Sequence, residues 1–270
     1  MSVEGAASPR AGRLSGRVVV ITGGARGIGR ALALEMGRAG ANVAITGRDP
    51  ATLGEARVEV ESLGVRCLGL TCEVTDPDSV AEVQRAVAVE LGEVDVVVAN
   101  AGIAGPTKLL HQTSFSEWRE CVATDLDGVF LTFRAFVPGM LARGRGVLLA
   151  MSSMTGKRPL VGRTPYAASK MGVIGLCRTL ATELGPHGIR VNSVCAGAVS
   201  GPRIDAVIQE QASVLGISQE QARARFTDPS AMRRLVSAEE VARACVFLAS
   251  DDASGITGED VNVSAGVVMY

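Results

Sequence analysis

Histidine, aromatic residues and long apolar runs are all scarce in this chain of 270 residues. Only two histidines, His111 and His187, accompany six cysteines, and no two cysteines form a CxxC pair. A zinc site needs clustered ligands at fixed spacing, and a disulfide framework belongs to short secreted chains. Neither reading fits Cys67, Cys72, Cys121, Cys177, Cys195 and Cys245, which are expected to be small buried apolar residues with no metal. An excess of either charge is also missing. The 27 Lys and Arg balance 28 Asp and Glu, which excludes the basic footprint of a nucleic-acid partner. No uncharged stretch reaches the roughly 18 residues that cross a bilayer, so no membrane partner is expected. The opening segment, residues 1–16, lacks the apolar block of a secretory leader; it is expected to be a flexible tail on a cytoplasmic protein.

Apolar sequence in short runs is abundant. With 47% hydrophobic and 20% charged residues, the chain can bury a large core. Val/Ile/Leu runs alternate with helical patterns: RVVVIT before a helix at about 27–39, NVAIT before 51–63, VRCLGL before 78–91, and VDVVVAN before a long helix at about 115–142. GVLLAMS, a helix at 166–184, IRVNSV, a helical region at 203–225, a helix at 238–248 and DVNV complete the pattern. Near-continuous apolar strands each followed by a helix predict a single α/β domain at 17–270, a Rossmann-like, doubly wound parallel sheet. Gly40, Gly64, Gly92 and Gly185 stand where left-handed residues end helices.

Directly after the first strand comes Thr22-Gly23-Gly24-Ala25-Arg26-Gly27-Ile28-Gly29, opening a helix. Glycines at such a turn let backbone N–H groups approach a pyrophosphate at the positive helix end. Further on, Tyr166 and Lys170 are four residues apart on one helical face, and Ser153 lies at the end of the strand GVLLAMS. Interconverting a ketone and a secondary alcohol requires an acid/base group at the oxygen as hydride moves at carbon. A tyrosine is a poor base at neutral pH unless a nearby ammonium favours its phenolate. The chain has only two tyrosines, so an internal one in this pattern is informative.

With its TGxxxGxG loop and YxxxK pair in this order, the chain resembles the short-chain dehydrogenase/reductase family from about residue 17 to the end. The resemblance implies that Ser153 positions the substrate oxygen, Tyr166 is the acid/base, and Lys170 also holds the nicotinamide ribose. It assigns Gly23, Ala25, Arg26, Gly27, Ile28 and Gly29 to the cofactor phosphates and Asn100-Ala101-Gly102 to the sheet and the adenosine ribose. Glu73-Val74 takes the place of the Asp-Val pair that meets adenine. Gly47 stands where NAD-using relatives carry an acid, and Arg48 follows it. With Arg26 this favours NADP(H), whose 2′-phosphate a guanidinium can pair, although Asp49 leaves NAD(H) possible.

Departures occur too. The asparagine that in relatives holds a relay water beside the lysine is Asp125 here, and an ionised Asp125 would offset the effect of Lys170 on Tyr166. Ala196-Gly197 replaces Pro-Gly and Gly201 replaces a threonine, leaving the Val199 backbone to meet the carboxamide. The resemblance implies that the segment 201–236 forms a lid over a small carbonyl or alcohol substrate, with an oligomer contact as the rival reading, and Met154, Leu160 and Arg163, which flank the catalytic loop, are candidates to touch that substrate. The resemblance also implies a homotetramer or homodimer, pairing through the two long helices beside the sheet and through the C-termini. An NAD-linked alcohol dehydrogenase, or a catalytically silent cofactor sensor of the same fold, remains the alternative.

Overall fold

The computed structural model describes residues 12–270. Its strands are β1 (Val18–Ile21), β2 (Asn42–Gly47), β3 (Cys67–Thr71), β4 (Val96–Ala99), β5 (Gly146–Ser153), β6 (Ile189–Ala196) and β7 (Asp260–Val263). All pair in parallel, in the order β3-β2-β1-β4-β5-β6-β7. The helices are α1 (Gly27–Arg38), α2 (Pro50–Glu61), α3 (Pro77–Glu90), α4 (Phe115–Val122), α5 (Gly128–Arg143), α6 (Met154–Lys157), α7 (Thr164–Leu184), α8 (Pro202–Leu215), α9 (Gln219–Thr227) and α10 (Ala238–Ala249).

Successive strand side chains point to opposite faces, and both faces are covered. Val19, Ile21, Val43 and Ile45 pack with residues of α1, α2 and α10, while Val18, Val20, Ala44 and Val97 pack with residues of α3, α5 and α7. A strand between two helical layers has no polar side, which is why VVVI and VVVA need no alternation. A third, smaller cluster gathers Ile204, Val207, Ile208, Ala222 and Phe226 of α8 and α9 with Met154 and Val268. The strand order reverses between β1 and β4, so the crevice for a ligand opens beyond their carboxyl ends. No helix among the described residues is long and apolar enough to cross a membrane.

Four details differ from the sequence reading. Of the expected tail, residues 1–11 lie outside the described residues, but residues 12–16 form a packed turn. Leu14 is fully buried there and its N–H donates to the Ala39 carbonyl. The helix expected at 115–142 is interrupted by a wider π turn at Ala123–Asp127. Gly185 is right-handed at φ -55, because the chain continues through a short 3-10 turn and reverses at Gly188, φ +72. The helix expected from residue 51 starts at Pro50, because the Asp49 side chain caps it by accepting from the Ala51 N–H.

Candidate active site

Two strand ends at the switch point are stitched together by Thr22 and Asn100. The Thr22 hydroxyl accepts from the N–H groups of Asn100 and Ala101, each at 3.0 Å. Asn100 Nδ2 donates to the carbonyls of Thr22 at 2.9 Å and Gly23 at 3.1 Å. The glycine loop then turns into α1 with Gly23 and Gly27 at positive φ. A Cβ on Gly29 would stand 2.0 Å from the Gly23 carbonyl oxygen, so only glycine lets the helix approach the loop this closely. Ala25 and Ile28 pack against the first apolar layer. Arg26 precedes α1 without a side-chain cap, and the first turn carries no acid. The positive helix end therefore faces no competing carboxylate of its own, and the loop fits the pyrophosphate of a dinucleotide.

At the carboxyl end of β2, Arg48 follows the strand and its Nη1 stands 3.9 Å from Glu73 Oε2. Both side chains are exposed, and such a pair holds weakly. Glu73 Oε1 accepts from the N–H and hydroxyl of Thr75, and Val74 is buried against the second layer. Asp49 is occupied as the α2 cap, its Oδ1 3.1 Å from the Ala51 nitrogen. Val199, beyond β6, bridges to Val236.

Ser153 ends β5 and caps α6, its Oγ accepting from the Thr155 N–H at 3.1 Å. The neighbouring Ser152 anchors α7 by donating to the Lys170 carbonyl at 2.8 Å. Lys170 Nζ donates to the Met151 carbonyl at 3.1 Å and lies 5.6 Å from the Tyr166 ring centroid. Asp125, in the π turn, is wholly buried, and its Oδ2 lies 3.7 Å from that same Nζ. Its Oδ1 accepts from the Ile103 N–H at 2.7 Å. A Cβ on Gly102 would touch both Asp125 Oδ1 and Lys170 Nζ, so the turn after β4 closes over this pair. Ser153, Tyr166, Lys170, Asp125 and Asn100 to Gly102 thus belong to the carboxyl edge of the sheet.

Arg163 proves more central than its sequence suggested. It is buried, with Cζ 4.7 Å from the Tyr166 centroid. Nη2 donates to the Ala104 carbonyl at 2.6 Å and Nη1 to the Thr107 hydroxyl at 3.1 Å. Thr107 in turn donates to Glu210 of α8 at 2.6 Å. Burial pushes the guanidinium below its ordinary value, and Tyr166 opposes that shift. Arg203 reaches the Gly102 carbonyl from α8. Of this group the sequence singled out only Arg163, as a residue flanking the catalytic loop; the partners of Arg163 lie some 50 to 60 positions away, beyond any local pattern.

A family model described as enoyl-(acyl carrier protein) reductase, of the short-chain alcohol dehydrogenase type, matches residues 23–268. The chain belongs to the short-chain dehydrogenase/reductase family. Among members of this short-chain family, 3-oxoacyl-(acyl-carrier-protein) reductase FabG of Escherichia coli is 34% identical over 254 residues, covering 94% of this chain and 98% of that one. A variant of actinorhodin polyketide ketoreductase, solved with NADPH, is 33% identical at a TM-score of 0.90, over 96% of this chain and all of that one. The NAD+-bound xylitol dehydrogenase structure, 25% identical, superposes with a TM-score of 0.91 over 94% and 99% of the two chains. As a short-chain dehydrogenase/reductase, the protein is an oxidoreductase of the ketone and secondary-alcohol pair.

Proposed function

We propose that the chain is an NADP(H)-dependent ketone reductase of small molecules, with Ser153, Tyr166 and Lys170 as its catalytic residues. One observation carries this reading: the buried Lys170 ammonium, held by the Met151 carbonyl, lies 5.6 Å from the Tyr166 ring on the same face of α7. Bound NADPH supplies the hydride. Ser153 and Tyr166 hydrogen-bond the substrate oxygen, and Tyr166 gives it a proton as the carbonyl carbon is reduced. Lys170 favours the phenolate left behind. Asp125, by its place beside Lys170, is the fourth member of the set.

Gly23, Ala25, Arg26, Gly27, Ile28 and Gly29 are assigned to the pyrophosphate, Asn100 to Gly102 and Glu73-Val74 to the adenosine, and the Val199 backbone to the carboxamide. Arg48, with Arg26, is assigned to the 2′-phosphate. Engagement of Asp49 as a helix cap supports this choice, since the acid next to Arg48 is already committed. The likeness to an NAD+-bound xylitol dehydrogenase supports NAD(H) with an alcohol substrate as the second reading. The relatives' names make a 3-oxoacyl thioester the first substrate to try. Residues 201–236 are the substrate lid. Exposed Phe130 and Met171, on α5 and α7, support pairing of copies through these helices into a dimer or tetramer. The cytoplasm is the assigned compartment.

The test is oxidation of NADPH and NADH with 3-oxoacyl thioesters, simple ketones and enoyl thioesters, alongside Tyr166→Phe. Turnover of a ketone with NADPH that falls about a hundredfold or more in Tyr166→Phe is expected. Undiminished turnover in that variant overturns the assignment, and cofactor binding with no turnover of any substrate points to a sensor.

A further inference from the structure

Three charged side chains are buried around Tyr166. Lys170 and Arg163 are each 4% exposed and Asp125 not at all. Asp125 Oδ1 is taken by the Ile103 N–H, but Oδ2 has no hydrogen-bond partner among the described residues and stands 3.7 Å from Lys170 Nζ. A carboxylate this close to an ammonium, away from water, cancels much of the field that the ammonium exerts on a third group. Lys170 is therefore a weaker influence on Tyr166 than its place one turn along α7 suggests. Arg163 has no carboxylate in direct contact among the described residues; Glu210, which is exposed, is reached only through the Thr107 hydroxyl. Its Cζ is 4.7 Å from the ring, and its hydrogen bonds go to the Ala104 and Gly105 carbonyls and the Thr107 hydroxyl, all neutral.

We propose that Arg163 is a positioning residue that sets the ionisation of Tyr166, restoring the positive field that Asp125 withdraws from Lys170. This rests on Tyr166 being the acid/base. The groups facing that neighbourhood are Lys170 and Arg163 on α7 and at its start, Asp125 in the π turn, Cys121 on α4, and Arg203 and Glu210 on α8. Burial pushes the Cys121 thiol up to about 11, so it stays neutral, and Arg203 and Glu210 are exposed to solvent. The buried set then sums to one positive charge. Removing Arg163 leaves none, whereas neutralising Asp125 leaves two. The two residues act on Tyr166 with opposite sign, and loss of both returns the sum to one.

The chain's second tyrosine, Tyr270, is exposed, so Tyr270→Phe leaves Tyr166 as its sole tyrosine. Following the ultraviolet tyrosinate band against pH in that background reads Tyr166 directly, without substrate or cofactor. Arg163→Gln should move the midpoint upwards by about one unit or more, and Asp125→Asn downwards. The double variant should return towards the parent, and Arg163→Lys, which keeps the charge but not the fork, should stay near it. A midpoint unmoved by Arg163→Gln, or a downward move, overturns the proposal; so does an Asp125→Asn midpoint that stays in place. Should Arg163→Gln not fold, Arg163→Met keeps more of the buried stem and replaces it. Turnover in Tyr166→Phe is measured separately: if it persists, the assignment of the acid fails, whatever the titration shows.

Discussion

Asn100 holds the glycine loop from the neighbouring strand, donating through one side-chain nitrogen to the carbonyls of both Thr22 and Gly23. Replacing it with alanine leaves two carbonyls to find water and opens space beside Gly29. Asn100→Ala should cost about 1–3 kcal/mol in urea unfolding. It should raise the KM for NADPH more than it lowers kcat, since Ser153 and Tyr166, the proposed catalytic hydroxyls, lie on β5 and α7.

Two glycine replacements should have opposite results. In Gly29→Ala the new methyl would meet the Gly23 oxygen at 2.0 Å and Asn100 Nδ2 at 2.7 Å, so the loop must shift and cofactor affinity should fall at least tenfold in a fluorescence titration. Gly54→Ala, on the exposed side of α2 with nothing within 4 Å, should stabilise the protein by about 0.5–1 kcal/mol and leave kinetics alone.

Cofactor choice should respond to a single side chain. Arg48 is exposed and only loosely paired with Glu73 at 3.9 Å, so Arg48→Ala should leave the melting temperature nearly unchanged. The kcat/KM with NADPH should drop about tenfold or more, with little change for NADH, as expected for loss of one charge-assisted phosphate contact. An equal loss with both cofactors would remove Arg48 from the 2′-phosphate site.

Acid stability should depend on two capping carboxylates. Glu240 is held at about 2 by its hydrogen bonds to Arg234 and the Ser237 N–H, and Glu117 at about 2 by Lys108 and Ser114, against an ordinary 4.5. Because the folded values lie below the unfolded ones, the stability they add is present above about pH 4.5 and is lost as pH falls towards 2. Urea unfolding at a series of pH values should show a shallower acid decline in Arg234→Ala than in the parent. Ser237→Ala, which removes the reciprocal cap of α10, should cost about 1 kcal/mol at neutral pH.

Much of the fold was legible because its signals are local. The runs VVVI and VVVA are apolar at every position, as strands covered on both faces must be, and the glycine loop declares itself by following one of them. The π turn at Ala123–Asp127 was not legible, since one extra residue in a turn leaves the apolar spacing of 115–142 nearly intact. Leu14 looked like part of a tail because the residues that bury it come from the end of α1 and elsewhere in the core. The charge environment of Tyr166 was half legible. Asp125 was visible as a departure, whereas the burial of Arg163 depends on carbonyls in the loop after β4 and on a threonine that α8 secures.

The separate apolar cluster beneath α8 and α9 has a mechanical consequence. Its nine buried members include no residue of β1, β2, β3 or β4, and both faces of the sheet keep their cover without it. An excursion of these two helices would therefore expose a small area at a cost below that of global unfolding, and amides in α8 and α9 should exchange with solvent well before those of the strands. For α8 and α9 as the proposed substrate lid, access to the crevice is thereby uncoupled from the integrity of the sheet, and sequence change in these helices should retune what enters without endangering the scaffold.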